Sequence, residues 1–436
     1  MRMFADMSNN YIFSKLKSGK TLINYAFLKI SSQGFLFLLS LILAKVLSPD
    51  RFGAYSLSLM IIYFFSALFM RSSQDPSIVL GSDELKQHSK INKIFTVRII
   101  LLIQAIILFY LITRVFFQPL SHFSSLDETG FIFLFFAYSG LCIRNFFEGT
   151  FLALNQRMAE AAYDALTNII SFVWLFVIYY FFTINIENIL MMFFVSPLIA
   201  SLFLTREIDL KKVLPIEFDL RILRQMFDYT KWTIMGSVGL YLVNWVDIFV
   251  LRIFVSLDQI GVYNLGYQIF KGVLILISIA RVYYLPFISE HIKDEKKMKN
   301  YLKNKRWIMM AAGSIGICLI YIALPYLFSI LYADTYQGSV TVARILLVGA
   351  VFSLYQTFYS PIFDAMRRYE FTQLASILMV AINLALDYIL VFLYGFLGAA
   401  VATAITYAIL SLIYEMYFRK NLKNIIFSSP QRPTIR

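Results

Sequence analysis

The sequence has 436 residues, of which 59 % are hydrophobic, 17 % aromatic and only 15 % charged, with a mean hydropathy of +0.70. A water-soluble domain carries about 45–50 % apolar and about 25 % charged residues, so the apolar excess argues against a soluble globule and for lipid as the solvent. The net charge of +13 does not point to nucleic acid, because the basic residues stand between apolar runs, where a membrane surface would meet them.

A helix needs about 20 largely apolar residues to cross the hydrocarbon. Twelve such runs follow one another, at roughly 21–45, 52–70, 95–117, 130–152, 162–183, 187–204, 230–254, 261–285, 306–331, 343–366, 369–393 and 395–418. Strands fit poorly, since membrane barrels alternate apolar and polar residues in segments of about ten. The fold expected is therefore all-α and integral to a membrane. Residues 1–20 are polar and basic, do not read as a secretory signal, and are expected to form a cytoplasmic tail, as are residues 419–436. Residues 205–229 form a basic linker with Pro215, in which Leu220, Leu223, Met226 and Phe227 fall on one side of an expected amphipathic surface helix. Cys142 and Cys318 lie inside apolar runs, which argues against a disulfide framework. His88, His122 and His291 fall in separate loops without ligand spacing, so no metal and no cofactor is implied.

Loop charges orient the spans. One set of loops, with both tails, carries Lys86, Lys90, Lys93, Arg206, Lys211, Lys212, Lys293, Lys296, Lys297, Lys299, Arg367, Arg368 and Arg419 among others. The opposite set holds Arg51, with Lys45, Arg114, Arg252 and Arg344 near helix ends. Positive charge stays inside, so both termini are expected in the cytoplasm of a cell with this chain in its cytoplasmic (inner) membrane.

The chain repeats itself at an offset of 208. Without gaps, Leu43, Ser48, Asp50, Gly53, Tyr55, Leu57 and Ile61 match Leu251, Ser256, Asp258, Gly261, Tyr263, Leu265 and Ile269. Ser48 and Ser256 are placed to cap the helix that follows, and Asp50 and Asp258 lie near its positive dipole end. Six spans per copy preserve orientation, so the halves are expected to be parallel repeats about an axis along the membrane normal. The expected division is 21–204, linker 205–229, then 230–418.

The same residues carry a family resemblance. The run Leu47-Ser-Pro-Asp-Arg-Phe-Gly-Ala-Tyr-Ser56, the run Asp247-Ile-Phe-Val-Leu251 followed by Gly261-Val-Tyr263, and Leu285-Pro286 resemble signatures of the oligosaccharide flippase branch of the multidrug/oligosaccharidyl-lipid/polysaccharide exporter superfamily. The resemblance covers about 20–420. It implies two six-helix bundles around a central cavity lined largely by spans 1, 2, 7 and 8. It also implies a polyprenyl-diphosphate-linked glycan as cargo, for O-antigen, capsule or similar polysaccharide, with a polymerase and glycosyltransferases as partners in the same synthesis.

Ionisable residues near the bilayer centre cost about 2.5–3.5 kcal/mol each and need a partner or a wet cavity. Tyr25, Lys29, Ser32 and Gln33 share a face of span 1, Tyr241 and Asn244 one of span 7, and Asn264, Tyr267, Gln268 and Lys271 one of span 8. Lys29 either snorkels to the surface or faces the cavity. Arg144 and Glu148, four apart, either pair with each other or serve the cargo. Lys271 is too deep to snorkel and stands out as a cation. Lys29, Gln33, Arg144, Tyr241, Asn244, Tyr267 and Lys271 are thus the candidate substrate-binding residues, and Asp247 and Asp387 the candidates for binding a coupling proton or sodium ion.

Alternating access for a lipid-linked oligosaccharide fits these features and requires no covalent chemistry, hence no catalytic residue. A drug or cation antiporter of the same superfamily would line its cavity with carboxylates rather than with Lys29, Arg144 and Lys271. A glycan polymerase or glycosyltransferase would need a sizeable outer loop, whereas the longest, about 118–129, offers only His122, Asp127 and Glu128.

Overall fold

A computed structural model describes residues 2–333 and 335–422 of the chain, with side chains described from residue 24 onward except at 282, 334 and beyond 421. Among the described residues every regular element is helical. Twelve helical spans are long and apolar enough to cross a membrane: α1 Asn24–Val46, α2 Pro49–His88, α3 Asn92–Val115, α4 Glu128–Ala153, α5 Arg157–Phe181, α6 Ile186–Glu207, α7 Leu220–Phe254, α8 Leu257–His291, α9 Glu295–Tyr332, α10 Gln337–Ala365, α11 Tyr369–Tyr394 and α12 Phe396–Asn421. They are the twelve expected runs in the same order, several of them extended by polar turns at their ends. Most of the C-terminal tail, 423–436, lies outside the described residues.

Two boundaries differ from expectation. The amphipathic stretch at 220–227 is not a separate surface helix but the first two turns of α7, because nothing between Leu220 and Phe254 breaks the helix. The helix that contains α1 begins at Arg2, so the polar N-terminal stretch continues it rather than forming a separate tail.

The chain divides into two compact units, one of 1–39 with 58–238 and one of 40–57 with 239–436. The first hairpin of the sequence therefore packs with the second half of the chain.

In the first unit, α4 lies against α6, and Gly140 is pressed so closely on the Phe193 backbone that a side chain there would overlap it. A buried cluster of Ile62, Phe65, Phe109, Leu134, Tyr138 and Leu190 fills the space beside them, with Phe109 and Tyr138 stacked at 4.0 Å. Arg98 is buried but bonded, to Ser77 Oγ at 2.5 Å and to the Asn145 carbonyl at 2.7 Å. Glu84 accepts the backbone N–H groups of Lys93 and Ile94, both at 3.0 Å, which satisfies the open N-terminus of α3. The linker is tied to that same terminus: Ile91 N–H donates to the Lys212 carbonyl, Asn92 to Glu217, and Lys93 to Asp219. The Arg221 N–H and Lys93 together hold the Asp219 carboxyl below its usual range.

In the second unit, α10 packs on α8 and α12, and α11 on α12. Gly395, at φ +60°, makes the tight turn between the last two spans that the sequence suggests at 394–398. The first hairpin is held by Tyr336, whose hydroxyl donates to the Leu47 carbonyl at 3.1 Å, and by Tyr332, which donates to Leu41 at 2.9 Å. Ser256 occupies the N-cap of α8 with extended backbone, yet its hydroxyl makes no capping bond, unlike the expectation for it.

Candidate functional site: two polar clusters within the spans

Polar side chains gather within the spans of both units. In the first, Glu160, Asp164 and Asn168 recur every fourth residue along one face of α5. Lys29 from α1 donates to Glu160 at 2.5 Å and to Asp164 at 3.1 Å. Arg144 from α4 bonds Glu148 through Nε at 2.9 Å, Asn168 through Nη1 at 3.1 Å, and Asp164 closely through Nη2. Ser32 donates to Asp164 at 2.9 Å and accepts from Asn168 at 2.7 Å. Arg71 approaches Glu148 at 3.8 Å, and Tyr25 donates to Glu160 at 3.4 Å.

Lys29 and Arg144 are therefore not free cations. Their charges, with that of Arg71, stand against those of Glu148, Glu160 and Asp164, so the cluster is neutral by count. Of the two readings open for Arg144, pairing with Glu148 is present and extends to Asp164. Lys29 points to α5 rather than out to a surface. Gln33, one residue past Ser32, is half-buried and takes no part in the network.

In the second unit the cation differs. Lys271 Nζ lies 4.9 Å from the Tyr267 ring centre and 5.1 Å from that of Trp245, and Tyr241 stacks on Trp245 at 6.5 Å. No carboxylate comes within 4.0 Å of Lys271 among the described residues, so its charge is held by ring faces. Asn244, between the two rings in sequence, is half-buried and donates to its own helix at Leu240. Tyr263 also stacks on Tyr267, at 5.8 Å.

Asp247 and Asp387 form a second, drier cluster. Asp247 accepts from Asn383 at 2.5 Å, from Thr403 at 2.8 Å and closely from the Tyr263 hydroxyl. Asn383 also donates to Asp387 at 2.6 Å, and the other Asp387 oxygen has no hydrogen-bond partner in the described structure. Both aspartates are buried, and no Lys or Arg comes within 4.0 Å of either among the described residues. Asp247 thus belongs with Asp387 rather than with Lys271.

A model of the family "polysaccharide biosynthesis protein" matches residues 42–341, more than half of the chain. The chain belongs to that family. The chain is similar to "Capsular polysaccharide biosynthesis protein CapF" of Staphylococcus aureus, 23 % identical over 401 residues, covering 88 % of this chain and 95 % of that one. "Probable low-salt glycan biosynthesis flippase Agl15" of Haloferax volcanii is 24 % identical over 206 residues; the match spans 44 % of this chain and 42 % of the relative. Among solved structures, the lipid II flippase MurJ in an inward closed conformation superposes with a TM-score of 0.72 at 14 % identity, covering 93 % of this chain and 89 % of that one. An inward-facing transporter of the multidrug resistance MATE family, of the MOP superfamily, gives 0.69 at 14 % identity, covering 88 % and 93 %. This member of the polysaccharide biosynthesis family therefore has the fold of that transporter superfamily and is a multi-pass membrane protein.

Glu160, Asp164, Asn168, Trp245, Asn383 and Thr403 enter these clusters without having been singled out in the sequence. The signal for several was present: the spacing of four that joins Glu160 to Asn168 also joins Asn383 to Asp387 and Tyr241 to Trp245. Thr403 carried no such signal, since a lone threonine in an apolar helix is unremarkable until Asp247 is placed beside it.

Proposed function

We propose that the protein carries polyprenyl-diphosphate-linked oligosaccharide units from the cytoplasmic to the outer leaflet by alternating access, with both termini in the cytoplasm. Family membership supports a role in polysaccharide synthesis, and the names of relatives, a capsular polysaccharide biosynthesis protein and a probable glycan biosynthesis flippase, support a glycan precursor as cargo. The observation that carries the reading is Lys271. A lysine held against Tyr267 and Trp245 without a carboxylate keeps its charge available to an outside anion. A diphosphate supplies that anion, and flat aromatic faces suit the apolar faces of sugar rings. In this reading Tyr241, Tyr267 and Asn244 contact the glycan beside Lys271, while Gln33, Lys29 and Arg144 of the first unit also serve the cargo, the two cations only by exchanging an internal carboxylate for it.

One of Asp247 and Asp387 couples transport to a proton or sodium ion, and the other shapes the site around it. Two buried carboxylates sharing one amide donor need a positive charge between them, and a small cation or a proton supplies it reversibly. The three acids of the first unit would suit a cation antiporter by residue type. They are already matched by Lys29, Arg144 and Arg71, so they offer an organic cation little. A glycan polymerase has no support from this arrangement. Deleting the protein in its own cell should cause lipid-linked glycan to accumulate on the cytoplasmic leaflet, where a membrane-impermeant glycan label cannot reach it. Unchanged surface polysaccharide in the deletion strain would remove the reading.

A further inference from the structure

A cleft of about 480 Å³ opens in the second unit where the start of α9 meets the end of α12. It is lined by Glu295, Lys299, Lys303, Arg306, Tyr359, Glu415 and Arg419, with apolar walls. Both chain segments that border it leave regular α-helix there: Tyr301–Lys305 and Phe418–Leu422 are π-helical. Such widened turns often mark functional positions, because they turn side chains away from the regular helical face.

The decisive residue is Arg306. It is only 7 % exposed. Its guanidinium carbon lies 4.9 Å from the Tyr359 ring centre and 5.5 Å from that of Tyr355. Nη1 donates closely to the Tyr359 hydroxyl, Nε has no hydrogen-bond partner, and no carboxylate lies within 4.0 Å of the guanidinium among the described residues. The nearby Glu415 is spent elsewhere, on Tyr355 at 2.6 Å, on Tyr359 and on Arg419. A buried guanidinium with no carboxylate beside it is costly unless an anion completes it. Lys299 and Lys303 are exposed at the rim and form no ion pair among the described residues, so the cations around the cleft outnumber the acids.

We propose that this cleft binds a phosphate-bearing anion, with Arg306 at its floor and Lys299 and Lys303 at its rim. A guanidinium fork with lysine charges above it matches phosphate oxygens. The ligand is either the headgroup of an anionic phospholipid or a soluble phosphate compound, and it bridges α9 to α12. The site is separate from Lys271 and does not depend on what the protein transports.

The test uses the full chain in phosphatidylcholine nanodiscs. One arm titrates sodium pyrophosphate at constant ionic strength against sodium chloride; the other raises the phosphatidylglycerol fraction. Thermal unfolding is read in both. Stabilisation by pyrophosphate identifies a soluble ligand, stabilisation by phosphatidylglycerol alone a headgroup, and either supports the site. Lys299→Gln and Lys303→Gln, which alter exposed side chains, should each weaken the response about tenfold. Lys211→Gln with Lys212→Gln, exposed lysines of the linker, should leave it intact. No stabilisation beyond chloride in either arm overturns the proposal. So does a response equal in the Lys299→Gln/Lys303→Gln variant and the wild type, or one lost equally in the linker variant.

Discussion

Asn264 Nδ2 donates to Ser56 Oγ at 2.5 Å, and the two residues are separated by 208 positions, the offset of the sequence repeat. Equivalent residues of the two copies thus touch each other. The relation is reciprocal around them: a Cβ on Gly53 would overlap the Leu257 carbonyl, and one on Gly261 would overlap the Pro49 carbonyl. Because Pro49 and Leu257 are themselves 208 apart, the starts of α2 and α8 cross about a local two-fold axis. The glycines shared by the repeat are required by this crossing, where two backbones meet with no room for a side chain.

Gly261→Val and Gly53→Val should each destabilise the protein by at least about 3 kcal/mol and sharply lower its level in the membrane, since backbone rather than a flexible side chain must move. Gly236→Ala is the control: nothing lies within 4 Å of the added methyl, and alanine favours a helix by about 1 kcal/mol. Thermal unfolding of the solubilised variants reads both. Equal stability of Gly261→Val and wild type would refute the crossing.

The charge network of the first unit should behave as a unit. Arg144→Leu leaves Asp164 and Glu148 without their main partner and should cost about 3–5 kcal/mol. Adding Asp164→Asn to it should recover part of that loss, a coupling seen in a double-mutant cycle of unfolding midpoints. Strictly additive losses would mean that the two side chains do not pair.

Much of this was legible beforehand, for physical reasons. Lipid imposes long apolar helices, so all twelve spans could be read from hydropathy. The repeat announced itself through Gly53 and Gly261, because a steric requirement preserves a residue type. What sequence could not supply was pairing across the chain. Lys29 looked available until Glu160 and Asp164, more than 130 residues away, were placed beside it. Asp247 showed only as an acid in an apolar span until Asn383 and Thr403, 136 and 156 residues away, were placed beside it. Spacing within a helix reveals a polar face; only packing reveals what that face meets.

Asp247→Asn and Asp387→Asn separate coupling from folding. If one of them holds the coupling ion, that variant should still bind cargo but lose the acceleration given by an imposed proton or sodium gradient, by tenfold or more on the scale of about 1.4 kcal/mol per decade. The other should retain it, serving only to shape the site. Two variants that both respond to the gradient like wild type would end the ion-coupling role.

The aromatic platform around Lys271 predicts a graded series. Lys271→Ala should abolish export at unchanged protein level, while Lys271→Arg should keep much of it, since a guanidinium also lies well on ring faces. Tyr267→Leu should reduce export less than Lys271→Ala, because it removes one of the two ring contacts while the charge remains. Surface glycan measured per unit of membrane-inserted protein orders the three. Export by Lys271→Ala at the wild-type rate would remove this residue from the site.

Reconstitution tests the central claim most directly. The purified chain is placed in liposomes whose inner leaflet holds a fluorescent polyprenyl-diphosphate oligosaccharide, and a glycosidase added outside reports each molecule that reaches the outer leaflet. The account predicts cleavage that depends on the protein, fails with Lys271→Ala and is not competed by an organic cation. Liposomes with wild-type protein that release no more glycan than empty ones, while moving an organic cation across the bilayer, would contradict it.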